Sequence, residues 1–89
     1  MIEPTLIIQL LKEIDTDNSI EITNNIYSIT HPLISAVIYL ANKYLTGDDN
    51  YYPMKYIKDA GFDIYPGEQD SFGWLIGCIK LKRGIIVFG

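Results

Sequence analysis

"FGWLIGCIKLKRGIIVFG", residues 72–89, closes the chain, and its only charges are Lys80, Lys82 and Arg83, crowded into the middle. Apolar residues on both sides of a short basic knot read as two strands joined by a turn. Leu81-Lys82-Arg83-Gly84-Ile85 fits a three-residue hairpin loop with Gly84 in the left-handed position. In that register Leu81 pairs with Ile85, Ile79 with Val87 and Cys78 with Phe88. One face then holds Leu75, Ile79, Leu81, Ile85 and Val87, and the other holds Trp74, Ile76, Cys78, Ile86 and Phe88. Both faces are apolar, so both require a cover. Gly77 leaves room on the first face for a helix backbone to approach.

Upstream, "SIEITNNIYSIT" (residues 19–30) carries a second hairpin. Ile20 and Ile22 alternate with Glu21 and Thr23 before Asn24-Asn25 interrupts. Asparagine tolerates positive φ, so the pair suits a two-residue turn. With Thr23 opposite Ile26, the residues Ile20, Ile22, Tyr27 and Ile29 share one face, and Glu21 meets Ser28 on the other. Alternation and turn register agree independently.

The remaining segments are helical. Thr5 to Ile14 sets Ile7, Leu10, Leu11 and Ile14 at helical spacing, with Pro4 tolerated in the first turn. "THPLISAVIYLANKYLTG" (residues 30–47) reads as the central helix, with Thr30 as N-cap and Gly47 as a left-handed C-cap. Its stripe of Leu33, Ala36, Val37, Leu40, Ala41 and Tyr44 is widened by Ile34, Ile38 and Leu45, so it makes contacts on more than one side. Asp49 or Asn50 then caps a short helix bearing Tyr52, Tyr56, Ile57 and Ala60, ended by Gly61. Phe62 to Tyr65 reads as a short strand and Pro66-Gly67 as a type II turn. The order α-β-β-α-α-β-β-β gives an α+β fold, an antiparallel sheet of two hairpins and a short extra strand packed by three helices.

Eighty-nine residues suffice for a single domain, residues 1–89, and its core is small: such a chain buries only roughly 60–65% of its unfolded surface. Nearly half the residues are apolar and a fifth are charged, which fits a globule. The longest mostly apolar run, Leu33 to Leu45, falls short of the roughly 20 residues that span a bilayer. No signal-peptide pattern opens the chain, and the lone Cys78 cannot form an internal disulfide, so a reducing, cytoplasmic setting is expected. The net charge of −4 divides unevenly. Residues 1–50 carry seven acidic and two basic side chains, a net −5, whereas residues 51–89 carry four acidic and five basic, a net +1.

No catalytic, cofactor or metal motif emerges. Cys78 and His31, the only thiol and imidazole, fit a buried strand residue and a helix-start residue better than a nucleophile and its base. The stretch from Asp15 resembles a calcium loop briefly, but Ile20 stands where glycine is needed and Ile26 where a bidentate glutamate is needed. The glycines build no phosphate loop. Lys80, Lys82 and Arg83 at the hairpin tip, with Lys55, Lys58 and nearby aromatics, offer a nucleic-acid surface, which the overall acidity disfavours. Glu13, Asp15, Asp17 and Glu21 form an acidic strip that reads as a solvated face. The sequence therefore points to a non-enzymatic protein that binds another protein and pairs with itself as a homodimer. Its expected interface is Trp74, Ile76, Cys78, Ile86 and Phe88, with the short helix as the alternative cover for that face.

Overall fold

The Asn24-Asn25 turn forms in the expected register. Both residues have positive φ (52° and 67°), as a two-residue hairpin turn with matching twist requires. Ile22 pairs with Tyr27 and Thr23 with Ile26. The computed structural model describes residues 3–45, 52–69 and 75–89. Along them run α1 (Glu3–Thr16), β1 (Ile22–Thr23), β2 (Ile26–Tyr27), α2 (Pro32–Tyr44), α3 (Tyr52–Asp59), β3 (Asp63–Gln69), β4 (Leu75–Lys80) and β5 (Ile85–Phe88). The architecture is α+β. A five-stranded sheet in the order β1-β2-β5-β4-β3 is covered on one face by the three helices.

One junction departs from the antiparallel expectation. β2 lies parallel to β5, with Ile26 beside Ile85 and the Ile85 N–H donating to the Asn25 carbonyl at 2.7 Å. Gly84 makes that seam possible: a Cβ there would sit 2.7 Å from the Asn25 oxygen. Gly84 is therefore required by a long-range contact and not by a left-handed turn, since its φ is not positive. The 80–85 hairpin accordingly takes a four-residue loop, in which the Leu81 N–H donates to the Gly84 carbonyl at 2.8 Å. Lys80 pairs with Ile85, Ile79 with Ile86, Cys78 with Val87 and Gly77 with Phe88. This register is one residue away from the expected one. A slip of one residue sends side chains to the opposite face. Ile86 and Phe88 thus join Ile79 in the core, at 0% and 2% exposure, while Cys78 and Val87 face the other way.

Gly77 also serves a different neighbour than expected. A Cβ on it would lie 2.6 Å from Phe88 Cζ and 2.7 Å from the Tyr65 carbonyl oxygen. The phenyl ring of its cross-strand partner, not a helix backbone, occupies the space. Pro66-Gly67 is likewise no turn. It lies inside β3, where the register shifts between Tyr65 and Glu68, so two residues of β3 oppose Gly77 alone. A bulge with proline in an edge strand blunts that edge against further pairing.

The core is built from one stripe per helix. α1 contributes Ile7, Leu11 and Ile14 with Ile8 beside them, and Leu10 is only half-buried. In α2 the fully buried set is Ile34, Val37 and Ala41, while the expected Leu33, Ala36, Leu40 and Tyr44 form a half-buried flank. The N-cap is His31, one residue later than expected: its Nδ1 accepts the Leu33 N–H at 3.2 Å, and Thr30 instead hydrogen-bonds Ser28. α3 buries Met54 and Ile57, whereas Tyr56 and Ala60 are exposed. Gly61 (φ 98°) ends α3, with its N–H on the Lys58 carbonyl and the Phe62 N–H on the Ile57 carbonyl, a Schellman arrangement. The expected caps at Gly47 and Asp49 or Asn50 lie outside the described residues. Because α3 packs on α1 and β3, it belongs to the helical layer and does not cover the second face of the sheet.

Candidate functional site

The register places the residues of the sheet face that none of the described helices covers. Thr23, Ile26, Ile85, Lys80 and Asp63 form one row across the strands, and Val87, Cys78 and Tyr65 form the next. Ile26 is 40% and Tyr65 46% exposed, Ile85, Val87 and Cys78 are half-buried, and Lys80 and Asp63 are exposed. The Lys80 ammonium lies 5.3 Å from the Tyr65 ring centre, close enough for a cation–π attraction. Of the five residues expected to form an interface, Ile86 and Phe88 are in the core and Cys78 is on the open face. Ile76 pairs with Glu68 in β4, and Trp74 lies outside the described residues. That set is not one surface, and the one-residue shift in the hairpin is the reason.

Of the basic knot, Arg83 turns inward. Arg83 Nη1 donates to the Asp17 carbonyl at 2.9 Å and Nη2 to the Ile20 carbonyl at 3.3 Å. The Lys82 N–H donates to Asp15 Oδ1 at 3.1 Å, and Lys82 Nζ stands 3.9 Å from the same carboxylate with its side chain 83% exposed. Asp17 in turn accepts the Ser19 N–H and hydroxyl, and these hydrogen bonds hold its carboxyl below the usual value. Thus the 15–20 loop receives the basic tip, Arg83 through backbone carbonyls and Lys82 through the Asp15 carboxylate. Lys55 and Lys58 are exposed on α3.

An engaged guanidinium and an exposed ammonium respond differently to removal. Arg83→Ala is expected to cost about 1–3 kcal/mol, because it strips charged donors from two carbonyls of a part-buried loop. Lys82→Ala is expected to cost under about 0.5 kcal/mol, as exposed pairs contribute little. Urea melts of the two variants check this, and equal midpoints would show that Arg83 does not anchor the loop.

Tyr27 is 1% exposed, and its hydroxyl has no hydrogen-bond partner among the described residues. Burial pushes its phenol above the ordinary value of 10.0. Above that pH the unfolded chain ionises first, so this contribution to stability is lost as pH rises further. Cys78 and His31 are not joined by any contact, the thiol facing off β4 and the imidazole capping α2. Among the described residues no three potential metal-ligating side chains come together, and no helix is long and apolar enough to cross a membrane.

A different surface stands out around α2. Its outward positions Pro32, Ser35, Tyr39 and Asn42 form a ridge, and residues 30–42 contain no Asp, Glu, Lys or Arg. On one side an open groove of about 650 Å3 runs against α1, lined by Leu6, Leu10, Ala36, Tyr39 and Leu40 among others. On the other side a groove of about 460 Å3 is lined by Ile29, Ile38, Val87, Phe88 and Gly89. Ser35 belongs to both grooves, and among the described residues neither lining includes a charged side chain. By contrast, the groove between α1 and α3, about 490 Å3, includes Lys12 and Asp59. The broad apolar stripe of α2 signalled contacts on more than one side. The missing charge at its outward positions was equally visible in the sequence.

The chain matches no family model, no curated protein and no solved structure.

Proposed function

We propose that this protein acts by binding a protein chain, without catalysis, through the uncharged surface on and beside α2. The observation that carries this reading is the exposure of large apolar side chains there: Leu6 at 42%, Tyr39 at 64% and Ile29 at 65%. A helix facing only water normally presents charged residues on its outer side. Protein interfaces show the opposite bias, with charge depleted and tyrosine enriched at their centres. The open sheet face supports the reading less well, since Lys80 and Asp63 stand in its first row. The hairpin tip is weaker again for nucleic acid, because Arg83 is spent on the 15–20 loop. The single cysteine fits a reducing compartment, and the cytoplasm is the proposed location.

Affinity capture from the native host is the direct test, comparing wild type with Tyr39→Arg and with Lys82→Glu. Chains held by the wild type are expected to be lost from Tyr39→Arg and kept by Lys82→Glu. A captured set that survives Tyr39→Arg and disappears with Lys82→Glu would move the function to the hairpin tip.

A further inference from the structure

We infer that the chain seated on the α2 surface is a second copy of this protein, packed about a two-fold axis crossing α2 near Val37. This inference rests on the protein-binding reading above and names its partner. Symmetry supplies the first argument. A two-fold axis lays a surface against itself, so any charge close to the axis meets its like. A different partner can answer a charge with its opposite, but a second copy cannot do so at the axis. With −4 on each copy, an interface between copies requires a centre free of charge, and residues 30–42 provide one. The sheet face has Lys80 and Asp63 in its first row, the α1–α3 groove has Lys12 and Asp59, and the β3 edge is blunted by its bulge.

Shape supplies the second argument. Tyr39, 64% exposed, projects from the ridge one helical turn beyond Ser35, where the two grooves meet. An axis between these positions sets the Tyr39 ring of each copy over Ser35 of the other, beside Ala36. The two α2 helices then run antiparallel, an arrangement that their dipoles favour.

Area supplies the third argument and sets the expected strength. Taking roughly 200 Å2 for a large side chain, the exposed fractions of Leu6, Ile29 and Tyr39 leave roughly 350 Å2. The half-buried Leu10, Ile38 and Leu40, with Pro32 and Ser35, bring the patch to roughly 500–600 Å2 per copy. Two copies would bury roughly 1,000–1,200 Å2, at the low end for specific interfaces. Interfaces at this end of the range are often weak, and a Kd on the order of 10 µM is the expected strength, set by packing quality as well as by area.

Sedimentation velocity of the full chain between about 1 and 500 µM tests this across the expected midpoint. The weight-average mass should rise from one chain to two. Ser35→Arg and Tyr39→Arg, which place like charges beside the axis, should each raise Kd by at least about tenfold. Both residues are exposed, so circular dichroism should show near-native melting for both variants. Tyr65→Glu, on the open sheet face, should dimerise as the wild type does. A wild type that stays monomeric at about 500 µM overturns the inference; so does a folded Tyr39→Arg that pairs with unchanged Kd, or a folded Tyr65→Glu that does not pair. If a monomeric wild type still captures another chain through Tyr39, only the identity of the partner is wrong.

Discussion

A chain ending at Gly84 is expected not to fold. β5 stands between β2 and β4, so its loss leaves β4 without one neighbour and detaches the 20–29 hairpin from the sheet. It also removes Ile86 and Phe88, buried to 0% and 2% exposure, each contributing roughly 1.5–3 kcal/mol. Ile85 and Val87 are half-buried and add to that loss. A small domain has about 5–15 kcal/mol in total, and one of 89 residues sits towards the lower end. The expected far-ultraviolet spectrum is that of an unfolded or weakly helical chain, with no cooperative thermal transition. A sharp melt would mean that α1, α2 and α3 close a core on β3 and β4 alone.

The two hairpins show what local sequence can and cannot fix. Asn24-Asn25 announced its turn because two neighbouring residues that tolerate positive φ lie between alternating segments. Nothing beyond those ten or so residues was needed, and the pairing followed. The 80–85 hairpin looked equally legible, and its register was wrong. Gly84 offered a plausible left-handed position, but its lack of a side chain answers the Asn25 carbonyl 59 positions upstream. That contact fixes where β5 begins, and with it which residues enter the core. The same long-range seam explains the parallel β2–β5 pair, which no local pattern encodes.

The surface followed the same logic. Read alone, the acidic strip looked like a solvated face and the basic knot like a surface offered to nucleic acid. Their meeting at Asp15, Asp17 and Arg83 depends on where the hairpin tip lands relative to the end of α1. The uncharged stretch of α2 needed only helical phase to be noticed. Positions 32, 35, 39 and 42 fall on one side of a helix, and none carries a charge. The breadth of the apolar stripe drew the reading towards the core and away from that ridge.

Gly77→Val is expected to destabilise the protein by about 3 kcal/mol or more, the upper part of the range for overpacked cores. The two obstacles differ in kind. Phe88 Cζ, 2.6 Å from the added Cβ, is the end of a side chain, but its ring is 2% exposed and wedged in the core. The Tyr65 oxygen, at 2.7 Å, belongs to the backbone of a strand paired with β4 beside the bulge. Gly61→Ala is the useful contrast. At Gly61 the φ of 98° is costly for a side chain, yet nothing lies within 4 Å of the added carbon. Its cost should stay at about 1–2 kcal/mol, from backbone strain alone. Pairing Gly77→Ala with Phe88→Leu separates the ring from the backbone. Leucine is shorter, so the double variant should be more stable than the summed single effects predict, by at least about 0.5 kcal/mol. Strict additivity in urea denaturation would show that the ring yields freely and that the Tyr65 carbonyl alone forbids a side chain at this position.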